Sequence, residues 1–238
     1  MPKLFKLCIL LALILMSCLS ELERMTPIPS TLTPLPTSTE TLIPPTFTPT
    51  ALPSITPTPE PYGCLKPPDD YMRVEVNGWT LNQRTLAMLA HAQELYGGEL
   101  ELTGHAITQG SYNNSVEASF GTHSGGGAVD LSVLQRDTYT VLWDDIEPLL
   151  GALRAAGFAA WLREFGELHA DSPIHIHAIA IGDRELSPAA QEQLTGEAGY
   201  FRGYNGLPVD MYGGPTLDRY GGPVICQWMI DLGYRDLR

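Results

Sequence analysis

The sequence predicts an α+β domain built on a mainly antiparallel sheet with flanking helices. Strand-like runs outnumber the helical ones and interleave with them. Hydrophobic residues make up 44 % of the 238, enough for one well-buried core but hardly two. Eleven of the 20 prolines crowd between Pro27 and Pro61, so that stretch stands outside the globular part. The domain is expected over residues 63–238.

Its elements follow in order. Thr80-Leu81-Asn82-Gln83 reads as a capping box opening a helix from Leu81 to Tyr96. Leu86, Leu89, Ala92, Leu95 and Tyr96 fall at helical spacing there, and Gly97-Gly98 supplies the stop. Leu100 to Gln109 reads as a strand, Gly110 to Thr122 as a polar loop, and Gly127 to Val133 as a second strand alternating about Asp130. A helix starts near Trp143 or Pro148 and reaches Ala156, ended by Gly157. Phe158 to Arg163 and the isoleucine-rich Ile174 to Ile181 are the next strands. Ser187-Pro188 forms an N-cap and first-turn pair for a helix to about Thr195. The Gly- and Tyr-rich stretch from Gly199 to Gly222 reads as irregular.

Ahead of the domain, Lys3 and Lys6 precede an apolar run from Leu7 to Met16. That run is too short for a membrane span, which takes about 20 residues, and it reads as a secretion signal over residues 1–18. It ends in Leu15-Met16-Ser17-Cys18, which resembles the bacterial lipobox and implies lipid attachment at Cys18; an ordinary cleaved signal is the alternative. Residues 19–62 read as a disordered linker. Between 26 and 61 there are eleven Pro and eleven Thr with no Lys or Arg, a composition that cannot offset its ordering entropy by packing. Extended at about 3.1 Å per residue, it supplies reach. The expected location is the outer face of a bacterial membrane, held by the lipid alone.

The domain carries 23 acidic against 11 basic residues. Such a surface repels phosphate backbones and anionic lipid, so neither nucleic acid nor electrostatic membrane adsorption is expected. Cys64 and Cys226 are its only cysteines. In an exported protein the pair points to a disulfide joining the two ends of the domain, with two free thiols as the alternative.

Two segments carry chemistry. In Gly121-Thr122-His123-Ser124-Gly125-Gly126-Gly127-Ala128-Val129-Asp130, three glycines let the chain turn so that His123 and Asp130 converge. In Asp171-Ser172-Pro173-Ile174-His175-Ile176-His177, the two histidines stand two apart on a strand and face the same way. A catalytic zinc takes three protein ligands from His and carboxylate and keeps one position open. His123, Asp130 and His177 would supply that set. The glycine run is not a phosphate loop, because no Lys-Ser/Thr follows and it leads into a strand.

Together these segments resemble the zinc metallopeptidases that share a fold with D-Ala-D-Ala carboxypeptidases and with the hedgehog signalling domain. The shared pattern is Ser/Thr-x-His-x(6)-Asp, then an acidic residue and His-x-His on a later strand, and it covers about residues 80–182. The resemblance implies a hedgehog-like α+β fold with one Zn2+ at the sheet, held by His123, Asp130 and His177. It implies that His175 steadies the oxyanion and that Asp171, where the hedgehog-type members carry Glu, is the proton-transferring carboxylate. Glu167 and Glu164 are backups, and a solvated loop carboxylate is the alternative for Asp171. Many peptidase members carry a substrate-clamping Arg upstream of the His-Asp loop. This chain has His105-Ala106-Ile107-Thr108-Gln109-Gly110-Ser111 there, which leaves Gln109, Ser111 and Ser119 as substrate-binding candidates and makes strict exo-cleavage harder to defend. His91, His105 and His169 read as structural or solvent histidines, His169 being the nearest to the site. Trp79, Trp143 and Trp161 read as core.

The expected function is zinc-dependent hydrolysis of peptide bonds in cell-wall peptidoglycan. A zinc-containing, non-catalytic wall-binding module is the alternative, and an amidase acting at the sugar–peptide junction a third.

Overall fold

The computed structural model describes residues 59–208 and 213–238. The signal, the lipobox with Cys18, and the linker through residue 58 lie outside the described residues. Among the described residues no helix is long and apolar enough to cross a membrane.

The chain opens with a hairpin, β1 (Arg73–Val76) and β2 (Trp79–Asn82), paired with Val76 opposite Trp79. Asn77 and Gly78 form its two-residue turn at φ 51° and 79°, the left-handed pair that matches the twist of the strands. This hairpin corrects the expected capping box, since Thr80 and Leu81 belong to β2. Helix α1 runs Gln83–Tyr96 and is capped by Asn82, whose side chain accepts from the Thr85 N–H. Its stop is at Gly97, φ 62°, as expected.

A four-stranded sheet follows, ordered β3-β4-β6-β5 and antiparallel at every pairing. β3 (Ile107–Gln109) is far shorter than the Leu100–Gln109 strand expected. The Gly104 and Ala106 N–H groups both reach back to the Glu101 carbonyl, so that stretch is turned rather than extended. The loop after it is punctuated by short 3-10 turns at Glu117–Ser119 and Thr122–Ser124. β4 (Ala128–Ser132), β5 (Phe158–Arg163) and β6 (His175–Ala180) fall where the sequence puts them. Helix α2 spans Trp143–Ala155 with Pro148 inside it. Trp143 at its start is 57 % exposed, so it is not the core residue expected. Helix α3 (Pro188–Thr195) is capped by Ser187, whose side chain accepts from the Ala190 N–H.

The two faces of the sheet differ. Alternation along the strands turns Val129, Leu131, Ala160, Ile176 and Ala178 to one side, where they pack with Leu89 of α1 and Leu149 and Leu153 of α2. The other side packs Ala128, Ala159, Trp161 and Ile179 against α3, the Tyr200–Arg202 turn and α4 (Gln227–Asp231). Cys226, at the start of α4, is disulfide-bonded to Cys64 with Cα atoms 5.5 Å apart, which fastens the last helix to the first residues of the domain. Ordered packing begins slightly before residue 63, because the Glu60 carboxylate accepts from the Gln227 N–H at 3.1 Å.

Candidate metal centre

On the second face, one end of the sheet is polar. Cross-strand register sets Asp130 opposite His177, His177 opposite Trp161, and His175 opposite Arg163. Directly paired residues share a face, so these side chains are neighbours by construction. His123 arrives from the 3-10 turn Thr122–Ser124, and the glycines between it and β4 are forced by packing. A Cβ on Gly125 would stand 2.3 Å from the Glu185 carbonyl oxygen, and Gly127 sits at φ 78° against Leu186.

The result is a buried cluster. His123 Nε2 lies 3.2 Å from Asp130 Oδ1 and 3.3 Å from His177 Nδ1, and His177 Nδ1 lies 2.7 Å from Asp130 Oδ1. These three residues can each offer one ligand atom, all within 4.8 Å of one another. The far sides of both rings are engaged. His123 Nδ1 donates to the Gly110 carbonyl at 2.8 Å, and His177 Nε2 meets Gln193 Oε1 of α3 at 3.0 Å. A neutral imidazole has one N–H. With those protons turned outward, three lone pairs face one another and call for a cation. Four tetrahedral ligands at about 2.0–2.1 Å stand roughly 3.3 Å apart, close to two of the three separations here. The donor set fits a divalent metal with nitrogen and oxygen ligands, and three ligands leave a fourth position open. Trp161 stacks on the His177 ring, centroids 6.1 Å apart, and fixes its plane.

The electrostatics couple the same three groups, with Asp130 supplying the negative charge to both rings. Burial pushes the His177 imidazole down to about 4 against the pull of Asp130, so the ring is neutral and able to ligate. Burial also disfavours the charge on His123, but the Asp130 carboxylate and the Gly110 carbonyl outweigh it and raise its pKa. Burial alone would raise Asp130, yet the two imidazoles hold it well below the usual carboxylate range.

A cavity of about 240 Å3 opens over this cluster, lined by His123, Asp130, His175 and His177 at its base and by Gln109, Ser119, Arg163 and His169 around them. His175 donates from Nδ1 to the Pro173 carbonyl at 2.8 Å, leaving Nε2 as a lone pair 3.8 Å from Asp130 Oδ2. Gln109 donates to the Ser119 hydroxyl at 2.8 Å, so both substrate-binding candidates are on the wall and bonded to each other. Ser111 is not on the wall. It is 2 % exposed, and its hydroxyl donates to the Ala128 carbonyl, where it secures the start of β4.

Asp171 is exposed and is not part of the cavity lining. Its backbone N–H donates to His169 Nδ1, and it is His169 that this turn brings to the cavity. Glu167 bonds the Glu164 N–H and Glu164 pairs with Arg219, both at the surface and off the cavity. Two residues at the site carry no mark in the sequence. Gln193 lies 16 positions beyond His177 on a helix, with no spacing signal to single it out. Arg163 reads in sequence only as the last residue of a strand.

Compared with protein-family models, curated proteins and solved structures, the chain matches none of them.

Proposed function

We propose that the domain is a zinc-dependent peptidase of the hedgehog and D-Ala-D-Ala-peptidase type, acting on peptide bonds of cell-wall peptidoglycan. The observation that carries this reading is the convergence of His123 Nε2, Asp130 Oδ1 and His177 Nδ1 as facing lone pairs beneath an open cavity. Zinc, when bound, would polarise a peptide carbonyl and bring the pKa of water to about 7. The chain's own residues do the rest. Gln193 keeps the His177 proton on Nε2 and so turns Nδ1 inward. The lone pair on His175 Nε2 takes a proton at the cavity, in place of the exposed Asp171, and the same nitrogen, once protonated, donates to the developing oxyanion or to the leaving amine. The signal-like start, the lipobox-like Cys18 and the Pro/Thr-rich composition of residues 26–61 expected from the sequence, together with the Cys64–Cys226 disulfide, support a site of action outside the cytoplasm, facing the wall.

The lack of a carboxylate other than Asp130 on the cavity wall, among the described residues, favours a second reading: a zinc-containing wall-binding module without turnover. The two separate in one experiment. The full chain, assayed for bound metal, is incubated with intact peptidoglycan with and without chelator, and released fragments are identified by mass. One zinc per chain and chelator-sensitive release of peptide fragments is the expected result. Co-sedimentation with the wall and no released fragments would establish the binding module instead.

A further inference from the structure

Gln193 is 9 % exposed, and only one end of its amide is engaged inside the protein. Its Oε1 accepts the His177 Nε2 proton at 3.0 Å, while its Nε2 donates to nothing among the described residues. The unpartnered side-chain nitrogens sealed from solvent, among those residues, are Arg84 Nε, Arg163 Nη2 and Trp228 Nε1. Gln193 Nε2 is not one of them, so its two N–H donors face open space. That space is the cavity over the metal cluster and, beside it, a second cavity of about 330 Å3, because Gln193 lines both. An amide held at its oxygen and free at its nitrogen is placed to donate to a ligand.

The surroundings say which ligand. The two cavities meet along Phe120, Thr122, Gln193 and Leu207, which line both. Phe120 and Leu207 are apolar, and Thr122 donates its hydroxyl to the Ser119 carbonyl at 2.8 Å, which leaves Gln193 as the free side-chain donor at the junction. The metal cavity alone, at about 240 Å3, is smaller than the roughly 300–1,000 Å3 of typical ligand sites, and its neighbour brings the joined space into that range. Farther along, Glu192 and Glu197 line the second cavity, a wall that turns away a terminal carboxylate and admits a neutral chain. We propose that Gln193 donates from Nε2 to a main-chain carbonyl of a peptide that continues from the metal cavity into the second one, so that the substrate is held along α3 rather than by a chain end. One imidazole ring and a 3.0 Å hydrogen bond separate this amide from the cluster, about two residues of extended chain at roughly 3.5 Å each. The oxygen of Gln193 then orients His177, and its nitrogen sets the register of the peptide. This rests on the peptidase reading for the substrate's chemistry, but its test reads binding rather than turnover.

The zinc-loaded full chain is titrated calorimetrically with a cross-linked peptide pair purified from peptidoglycan and with N-acetyl-D-alanyl-D-alaninamide, which is too short to span both cavities. The long peptide is expected to bind at least about tenfold more tightly. Gln193→Glu keeps an oxygen for His177 and removes the N–H donors, so at equal zinc content it should bring the two peptides within about threefold. Ala189→Phe, on the α3 wall of the second cavity, should do the same by filling the space, with zinc content unchanged. Equal affinity for the two peptides in the parent overturns the inference, whether or not Gln193→Glu folds. So does binding of neither, and so does a full advantage that survives in folded Ala189→Phe or in Gln193→Glu with its zinc. Mass analysis of the titrated samples separates the two readings. Preference for the long peptide without any cleavage leaves Gln193 assigned and overturns the peptidase reading alone, whereas cleavage of both peptides without preference overturns this inference alone.

Discussion

The same strand behaves differently on its two sides. Along β6, Ile176, Ala178 and Ala180 enter a dry core against α1 and α2, whereas His175 and His177 on the other side enter a cluster of lone pairs and a cavity. All six residues of the strand are buried. On the first face burial is the source of stability. On the second it is a cost, borne by Asp130 and His177, that a metal would relieve. The first face should therefore respond to substitution in stability without changing metal content, and the second in metal and ligand binding with modest changes in folding.

The sharpest break is His177→Ala. It removes one of three converging ligand atoms, and zinc content should fall from one per chain to none, with peptide release dropping to the level seen with chelator. Saturating zinc should stabilise the parent by about 4 kcal/mol when present at roughly a thousandfold over its dissociation constant, and His177→Ala not at all, as read by urea unfolding. If zinc stabilises both equally, the metal sits elsewhere and the second face loses its distinction.

His175→Gln tests the division of labour within that face. The variant should keep its zinc, since His175 is outside the ligand set, and lose turnover by a factor of about 10² to 10⁴. Metal analysis and initial rates on the same preparation check both halves. On the opposite face, Ile176→Ala should cost about 2–5 kcal/mol of stability with zinc stoichiometry unchanged. Ile176 is completely buried, so the truncation leaves a cavity in the packed face.

These two residues also mark what the sequence can disclose. The period-two alternation of His175-Ile176-His177 is enough by itself to send the histidines to one face and the isoleucine to the other, and the His123-to-Asp130 spacing brings in the other two members of the cluster. β5 is legible as a short apolar run ending in Arg163, and β6 as an isoleucine-rich run interrupted only by its two histidines. The β1–β2 hairpin has its own signal in Asn77-Gly78, but the capping-box pattern at Thr80 to Gln83 competes for the same residues and obscures it. The expected Leu100 strand fails for a local reason, the turn at Glu101 that no alternation pattern records. Gln193 and Arg163 are beyond reach. What makes Gln193 matter is a tertiary contact with His177 Nε2, and Arg163 reaches the cavity wall only through its register opposite His175.

Gln193→Ala should then have a graded effect. Its amide oxygen accepts the His177 Nε2 proton at 3.0 Å and so fixes which nitrogen turns toward His123 and Asp130. Removing such a partner lowers metal affinity by about 10- to 100-fold. Competition with a chelating dye measures this directly. Gln193→Glu, which keeps the acceptor, should recover most of it. Equal affinity in Gln193→Ala would mean that Asp130 and the stacked Trp161 suffice to orient the ring.

The smallest effect is expected at the carboxylate that the sequence motif favours most. Asp171 stands six residues before His177, where the resemblance places the proton-transferring acid, and the proline two residues later biases the chain toward the strand. The structure turns it outward instead. Ser172 is the buried residue of that turn, its N–H donating to the His169 carbonyl and its hydroxyl accepting from the Leu168 N–H. With Ser172 held inward, Asp171 faces solvent and His169 reaches the cavity. Asp171→Asn should accordingly leave zinc content unchanged and turnover within about twofold of the parent, far from the 10²-fold or greater loss of a general base. Parallel rates for Asp171→Asn, His169→Gln and His175→Gln on one peptidoglycan preparation decide the matter. Should Asp171→Asn alone be inactive with its zinc in place, the turn must swing inward when substrate binds, and His175 would return to the oxyanion role that the resemblance gives it.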